Sequence, residues 1–150
     1  MQLEMVAGTN VSFTIVPGTA TTAPKFIISA GTAAIQAPVQ ALAAMTLTSA
    51  QNDKVFTSQG ATGDRSTRVI NLPAEADAPA GLEYSFNTYE TEGLRIQAPA
   101  GAEILLGDDL ISAVGGYIET VTANQWLRLY KLAANVWTCR AYTAGWVVSE

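Results

Sequence analysis

The sequence predicts an all-β protein: an antiparallel β-barrel or sandwich of many short strands, led by an extended N-terminal arm. Three observations carry that expectation. Apolar and polar residues alternate with a period of two through most of the chain after Met45. Turn-forming Gly, Pro, Asn and Asp recur at short intervals between the alternating runs. No long stretch repeats its apolar residues at helical spacing, and short strands with frequent turns belong to barrels and sandwiches.

The first strand is expected at Val11-Ser12-Phe13-Thr14-Ile15-Val16, where Val11, Phe13 and Ile15 share one face and Ser12 and Thr14 the other. Phe26-Ile27-Ile28 is a second β-type run. Both lie where charge is scarce, since Lys25 is the only charged residue between Met5 and Asn52. Disordered tails are usually poor in apolar residues and well charged. Residues 1–44 therefore read as an arm with short strands, buried against something, and residues 45–150 as the β-domain. The other reading, in which these strands belong to the same β-domain as the rest, stays open. Ala33 to Met45 is ambiguous. Ile35, Val39, Leu42 and Met45 fall at helical spacing, whereas Val39, Ala41, Ala43, Met45 and Leu47 alternate as a strand.

From Met45 onward the period is two. Leu82, Tyr84 and Phe86 alternate with Glu83, Ser85 and Asn87, and Leu94 and Ile96 with Arg95 and Gln97. Leu127 and Leu129 flank Arg128, and Trp137 and Cys139 flank Thr138. Each pattern marks a strand with one face on a core and one on solvent. Between them stand the turns Gly60-Ala61-Thr62-Gly63-Asp64, Pro79-Ala80-Gly81, Ala98-Pro99-Ala100-Gly101, Gly107-Asp108-Asp109, Gly115-Gly116 and Ala133-Ala134-Asn135. No repeat of fixed period is present, which argues against a solenoid or β-helix.

A chain of 150 residues buries enough surface to need neither metal nor disulfide. Hydrophobic residues make up 49% and charged residues 14%, against roughly 25% charged in ordinary soluble domains. So few charges imply that partners hide part of the surface. The net charge is −5 and the lysines and arginines are scattered, so no nucleic-acid partner is expected. The uncharged run from Phe26 to Asn52 contains Gln36, Pro38, Gln40 and Gln51 and lacks the apolar density of a spanning helix, so no membrane is expected either. Met1-Gln2-Leu3-Glu4-Met5 does not read as a signal peptide. The lone Cys139 reads as a small buried hydrophobe.

The chain has no histidine, which removes Ser-His-Asp and Cys-His catalysis and most zinc chemistry. Gly60-Ala61-Thr62-Gly63 has no lysine after it to hold phosphate and reads as a hairpin turn. Glu83, Glu90 and Glu92 are close in sequence, as paired acids of a glycosidase would be, but Glu90 and Glu92 bracket Thr91 like a solvated turn. Asp108-Asp109 lacks the alternating spacing of a calcium loop. The expectation is no enzyme, no catalytic residue, no cofactor and no metal. Tyr84, Tyr89, Tyr117, Trp126, Tyr130, Trp137, Tyr142 and Trp146 admit a sugar-binding platform, but aromatics on alternating strands more often fill a core. Trp137 reads as core with Cys139 and Ala141 on its face, and Tyr130, beside Arg128, as exposed or at an interface.

The stretches Leu47-Thr48-Ser49-Ala50-Gln51-Asn52-Asp53-Lys54-Val55-Phe56-Thr57, Val69-Ile70-Asn71-Leu72-Pro73-Ala74, Ala80-Gly81-Leu82-Glu83-Tyr84-Ser85-Phe86, Leu94-Arg95-Ile96, Gly115-Gly116-Tyr117-Ile118-Glu119-Thr120 and Asn135-Val136-Trp137 belong together. From Leu47 to Val147 they resemble a compact β-module that recurs in virion structural proteins of tailed phages, including capsid decoration (cement) proteins and the tips of tail or head fibres. The resemblance implies a homotrimer, although decoration proteins also occur as monomers and dimers. It implies a place on the capsid exterior after assembly in the host cytoplasm, with the major capsid protein as partner. A nearly uncharged arm, rather than a coiled coil or repeated shaft, stands ahead of the module, which favours a decoration protein over a receptor- or glycan-binding fibre tip. The arm interface is expected at Val11, Phe13, Ile15, Phe26, Ile27 and Ile28, and the structural core at Ile70, Leu82, Phe86, Ile96, Leu129 and Trp137.

Overall fold

The computed structural model describes residues 11–16, 25–30, 37–89, 93–107 and 110–149, the first two segments by their backbone. The chain divides into two units, Met1–Gln36 and Ala37–Glu150. In the first unit, β1 (Val11–Val16) and β2 (Lys25–Ala30) form an antiparallel ladder. Its register sets Val11 opposite Ala30, Phe13 opposite Ile28 and Ile15 opposite Phe26. Directly opposed residues share a face of a ladder. Val11, Phe13, Ile15, Phe26 and Ile28 therefore occupy one face, and Ile27, opposite Thr14, the other.

The second unit begins ahead of the expected boundary at Met45, because β3 (Val39–Gln40) already pairs into its sheet. After it come β4 (Met45–Thr46), β5 (Val55–Thr57), β6 (Ile70–Asn71), β7 (Glu83–Asn87) and β8 (Leu94–Gln97). The chain continues through β9 (Glu103–Leu106), β10 (Leu110–Ile111), β11 (Tyr117–Thr120), β12 (Trp126–Ala133), β13 (Val136–Tyr142) and β14 (Val147–Val148). Strand and 3-10 turn account for the regular structure among the described residues, so the helical alternative for the stretch before Met45 is not what its described part adopts.

Two sheets result. One has seven strands in the order β10-β9-β13-β12-β7-β5-β3, the other five in the order β14-β11-β8-β6-β4. They share one core and do not close into a barrel; the architecture is sandwich-like. The all-β class is as expected, but the sheets are mixed rather than antiparallel. From β3 to β9 the chain crosses from one sheet to the other at every connection, and through β8 each strand returns beside its predecessor in the same sheet in parallel. The Gly60–Gly63 loop is accordingly a crossover between β5 and β6, not a hairpin turn. The winding stacks Val39, Phe56 and Phe86 in one row and Met45, Ile70 and Ile96 in another. Loops of unequal length separate those rows, which is why no fixed period marks them in the sequence.

The inward residues interlock in one core. Phe56 stacks on Phe86 at 5.7 Å and meets Tyr84 edge-on at 6.1 Å, and Tyr84 stacks on Trp137 at 5.9 Å. Ile70, Leu82, Phe86, Ile96, Leu129 and Trp137 are all buried in this cluster. A bulge after Arg128 changes the expected phase at one place. Leu129 opposes Cys139 but Arg128 opposes Ala141, so Ala141 leaves the face of Trp137 and Cys139. Gly93, at φ +64°, enters β8 so close to β11 that a Cβ there would lie 1.7 Å from the Thr120 carbonyl oxygen.

Candidate functional site

The ion pairs of the second unit tie its strands and turns together. On the outer face of the smaller sheet, β8 presents Arg95 beside Glu119 of β11, and the 3-10 turn Arg65–Thr67 lays Arg65 over them. Arg65 donates from Nη2 to Glu119 Oε1 at 2.8 Å and from Nε to Oε2 at 2.9 Å, and Arg95 Nε donates to Oε2 at 2.8 Å. Burial pushes the Glu119 carboxyl up, but the two guanidinium bonds outweigh it and hold it below its ordinary value. Asp64 caps the turn by accepting from Ser66 N, and that bond lowers its carboxyl too.

On the other sheet Arg128 pairs with Glu83. Lys131 faces inward with Leu127 and Leu129, 2% exposed; it donates to Glu75 and lies 5.7 Å from the centre of the Trp137 ring. The outward Tyr130 carries the Arg140 guanidinium 4.7 Å above its ring. Cys139 is partly buried against the core, and burial pushes its thiol up to about 12. Among the described residues no cluster of three or more His, Cys, Asp or Glu is placed to hold a metal. Glu90, Glu92, Asp108 and Asp109 lie outside the described residues. A cleft of about 410 Å3 beside β4 is lined by Thr46, Leu47, Thr48, Ser49, Pro73, Ala74 and Asp77, with one carboxylate and no aromatic ring.

The features that stand out are exposed apolar side chains at the two open sides of the sandwich. On one side end β10 and β14. Ile111 is 52% exposed, Val114 69% and Val147 54%, with Leu110 also exposed. Ala113 N donates to Ser149 O at 3.0 Å, which ties these two sheet edges together. On the opposite side end β3 and β4, joined by a short link that carries the exposed Leu42. A third group, Tyr89, Trp126 and Tyr142, is exposed around loops joined by bonds such as Thr88 Oγ1 to Thr122 O and Trp126 N to Thr143 Oγ1.

Of the residues singled out in the sequence, the six core positions come together in the sandwich. The six arm positions lie in the first unit, where the backbone places five on one ladder face; their side-chain burial lies outside what is described. Sequence reasoning missed the Arg65–Glu119–Arg95 cluster, whose members come from three separate segments. It also missed Lys131, although its parity with Leu127 and Leu129 was a usable signal. Nothing local distinguishes Leu110 and Ile111 from core residues; only their place at a sheet edge does. No protein-family model matches the chain, and no curated protein is significantly similar to it.

Proposed function

We propose that this chain is a capsid decoration (cement) protein, which binds the outer surface of a tailed-phage head and stabilises the shell through protein–protein contacts. The observation that carries the reading is where apolar surface remains exposed. Much of it lies along sheet edges that can take up another strand, while Glu83 and Glu119 of its sheets are tied into ion pairs. Such a surface suits contact rather than chemistry. Cement action would consist of burying these edges, and the apolar ladder face of the first unit, against copies of itself and the major capsid protein. The test is addition of the purified protein to undecorated heads. Saturable binding at hundreds of copies per particle, with raised resistance to heat, supports the reading; absence of binding overturns it. Exposed Tyr89, Trp126 and Tyr142 support a second reading, a receptor- or glycan-binding fibre tip. A stained gel of purified virions separates the two, since a fibre tip would be present at a dozen or so copies.

A further inference from the structure

We infer that copies of this chain join head to tail, the β4 edge of one molecule adding in parallel to the β14 edge of the next. The first support is the register of the smaller sheet. Met45 pairs with Ile70, Ile70 with Ile96, Ile96 with Ile118 and Ile118 with Val148. One unbroken row thus crosses all five strands, and its two ends stand at the same height. The pairings also leave β4 and β14 running in the same direction, parallel through β6 and β8 and reversed twice through β11. A second copy can therefore meet this edge in register and in the same strand direction, as a heterologous, head-to-tail contact.

The backbone groups are phased for that contact. Met45 N donates to Val69 O and Leu47 N to Asn71 O, so Thr46, between them, turns its peptide groups away from β6. Ser149 N donates to Tyr117 O, so Val148 turns its own away from β11. With Met45 and Val148 on one row, Thr46 N–H of one copy donates to the Val148 carbonyl of the next, as a parallel ladder requires. Met45 and Val148 are each partly buried against their own core, and the join completes the cover of both.

Burial of the β4 edge in the join desolvates no charge. The β3 and β4 side comes from the stretch Phe26 to Asn52, which holds no charge. The inference stands apart from the capsid reading, because it concerns the free protein in solution.

The test uses the full chain and two exposed-edge variants, Thr46→Asp and Val147→Asp, with Leu42→Asp as a second variant of the first edge. Thermal melting establishes that each is folded, and light scattering reads mass. The expected result is an oligomeric wild type, each variant at the 15.8 kDa of a single chain, and a one-to-one pair when the Thr46 and Val147 variants are mixed. Each partner in that mixture keeps one intact edge, so one join forms and growth stops at two chains. A monomeric wild type overturns the inference and leaves the edge to residues of the same chain or to a foreign partner. Folded variants that retain the wild-type mass, or that stay monomeric on mixing, overturn it as well.

Discussion

Single residues show how this chain handles the few charges it has. Glu119 is held between Arg65 and Arg95, and its carboxyl lies below its ordinary value. A group whose folded pKa is depressed adds stability above its unfolded pKa, about 4.3 for Glu, and loses it as pH falls through the folded value. Glu119→Gln should therefore destabilise the sandwich by about 1.5–3 kcal/mol at neutral pH, the worth of a charge-assisted bond. Denaturant melts should show that gap closing in acid as the wild-type carboxyl protonates. Trp137 is fully buried and stacked on Tyr84, so Trp137→Ala should cost about 3–5 kcal/mol, read as an earlier melt. Cys139 makes a different point. With its thiol pushed to about 12, almost none is thiolate at pH 8, and the thiolate is the nucleophile. A disulfide reagent should label the native protein only slowly, yet titrate one thiol per chain in denaturant. Fast labelling without denaturant would place Cys139 outside the core face.

At the level of elements, alternation was enough to find β7, β8, β12 and β13, because each has one apolar face against the core and one polar face outward. Strand direction was not legible. A parallel neighbour arises here because the chain crosses to the opposite sheet and back, and nothing in the strand residues encodes that path. The bulge at Arg128 was equally hidden, since one inserted residue alters pairing without altering composition. Close packing between elements does leave a mark, at Gly93. Its positive φ alone makes a side chain costly, and the Thr120 carbonyl occupies the space a Cβ would need. Gly93→Ala should thus cost more than the roughly 1 kcal/mol expected of backbone conformation alone. A thermal melt checks this, and a variant as stable as the parent would mean β8 and β11 separate easily.

For the molecule as a whole, the exposed sites became visible only once the sheets had edges. Leu110 and Ile111 look like core in the sequence and Lys131 looks like surface, and the fold reverses both. The first unit poses the same question on a larger scale. Its ladder face gathers Val11, Phe13, Ile15, Phe26 and Ile28, and a two-stranded hairpin is at best marginally stable alone in water. Each of those side chains, fully buried, contributes roughly 1.5–3 kcal/mol before ordering costs are subtracted. The sandwich core, by contrast, is drawn from Ala41 to Trp146, with the half-buried Val39 and Val148 at its margins. Removing residues 1–36 should therefore leave a folded sandwich whose melting temperature is close to that of the parent. On the capsid reading the same truncation should lower occupancy on undecorated heads, because the apolar ladder face is lost while the β4 and β14 edges remain. Measuring mass, melting and head occupancy on one preparation keeps these effects apart. Full occupancy by the truncated chain would show that the hairpin takes no part in binding, and a collapsed melt would show that the sandwich needs it to fold.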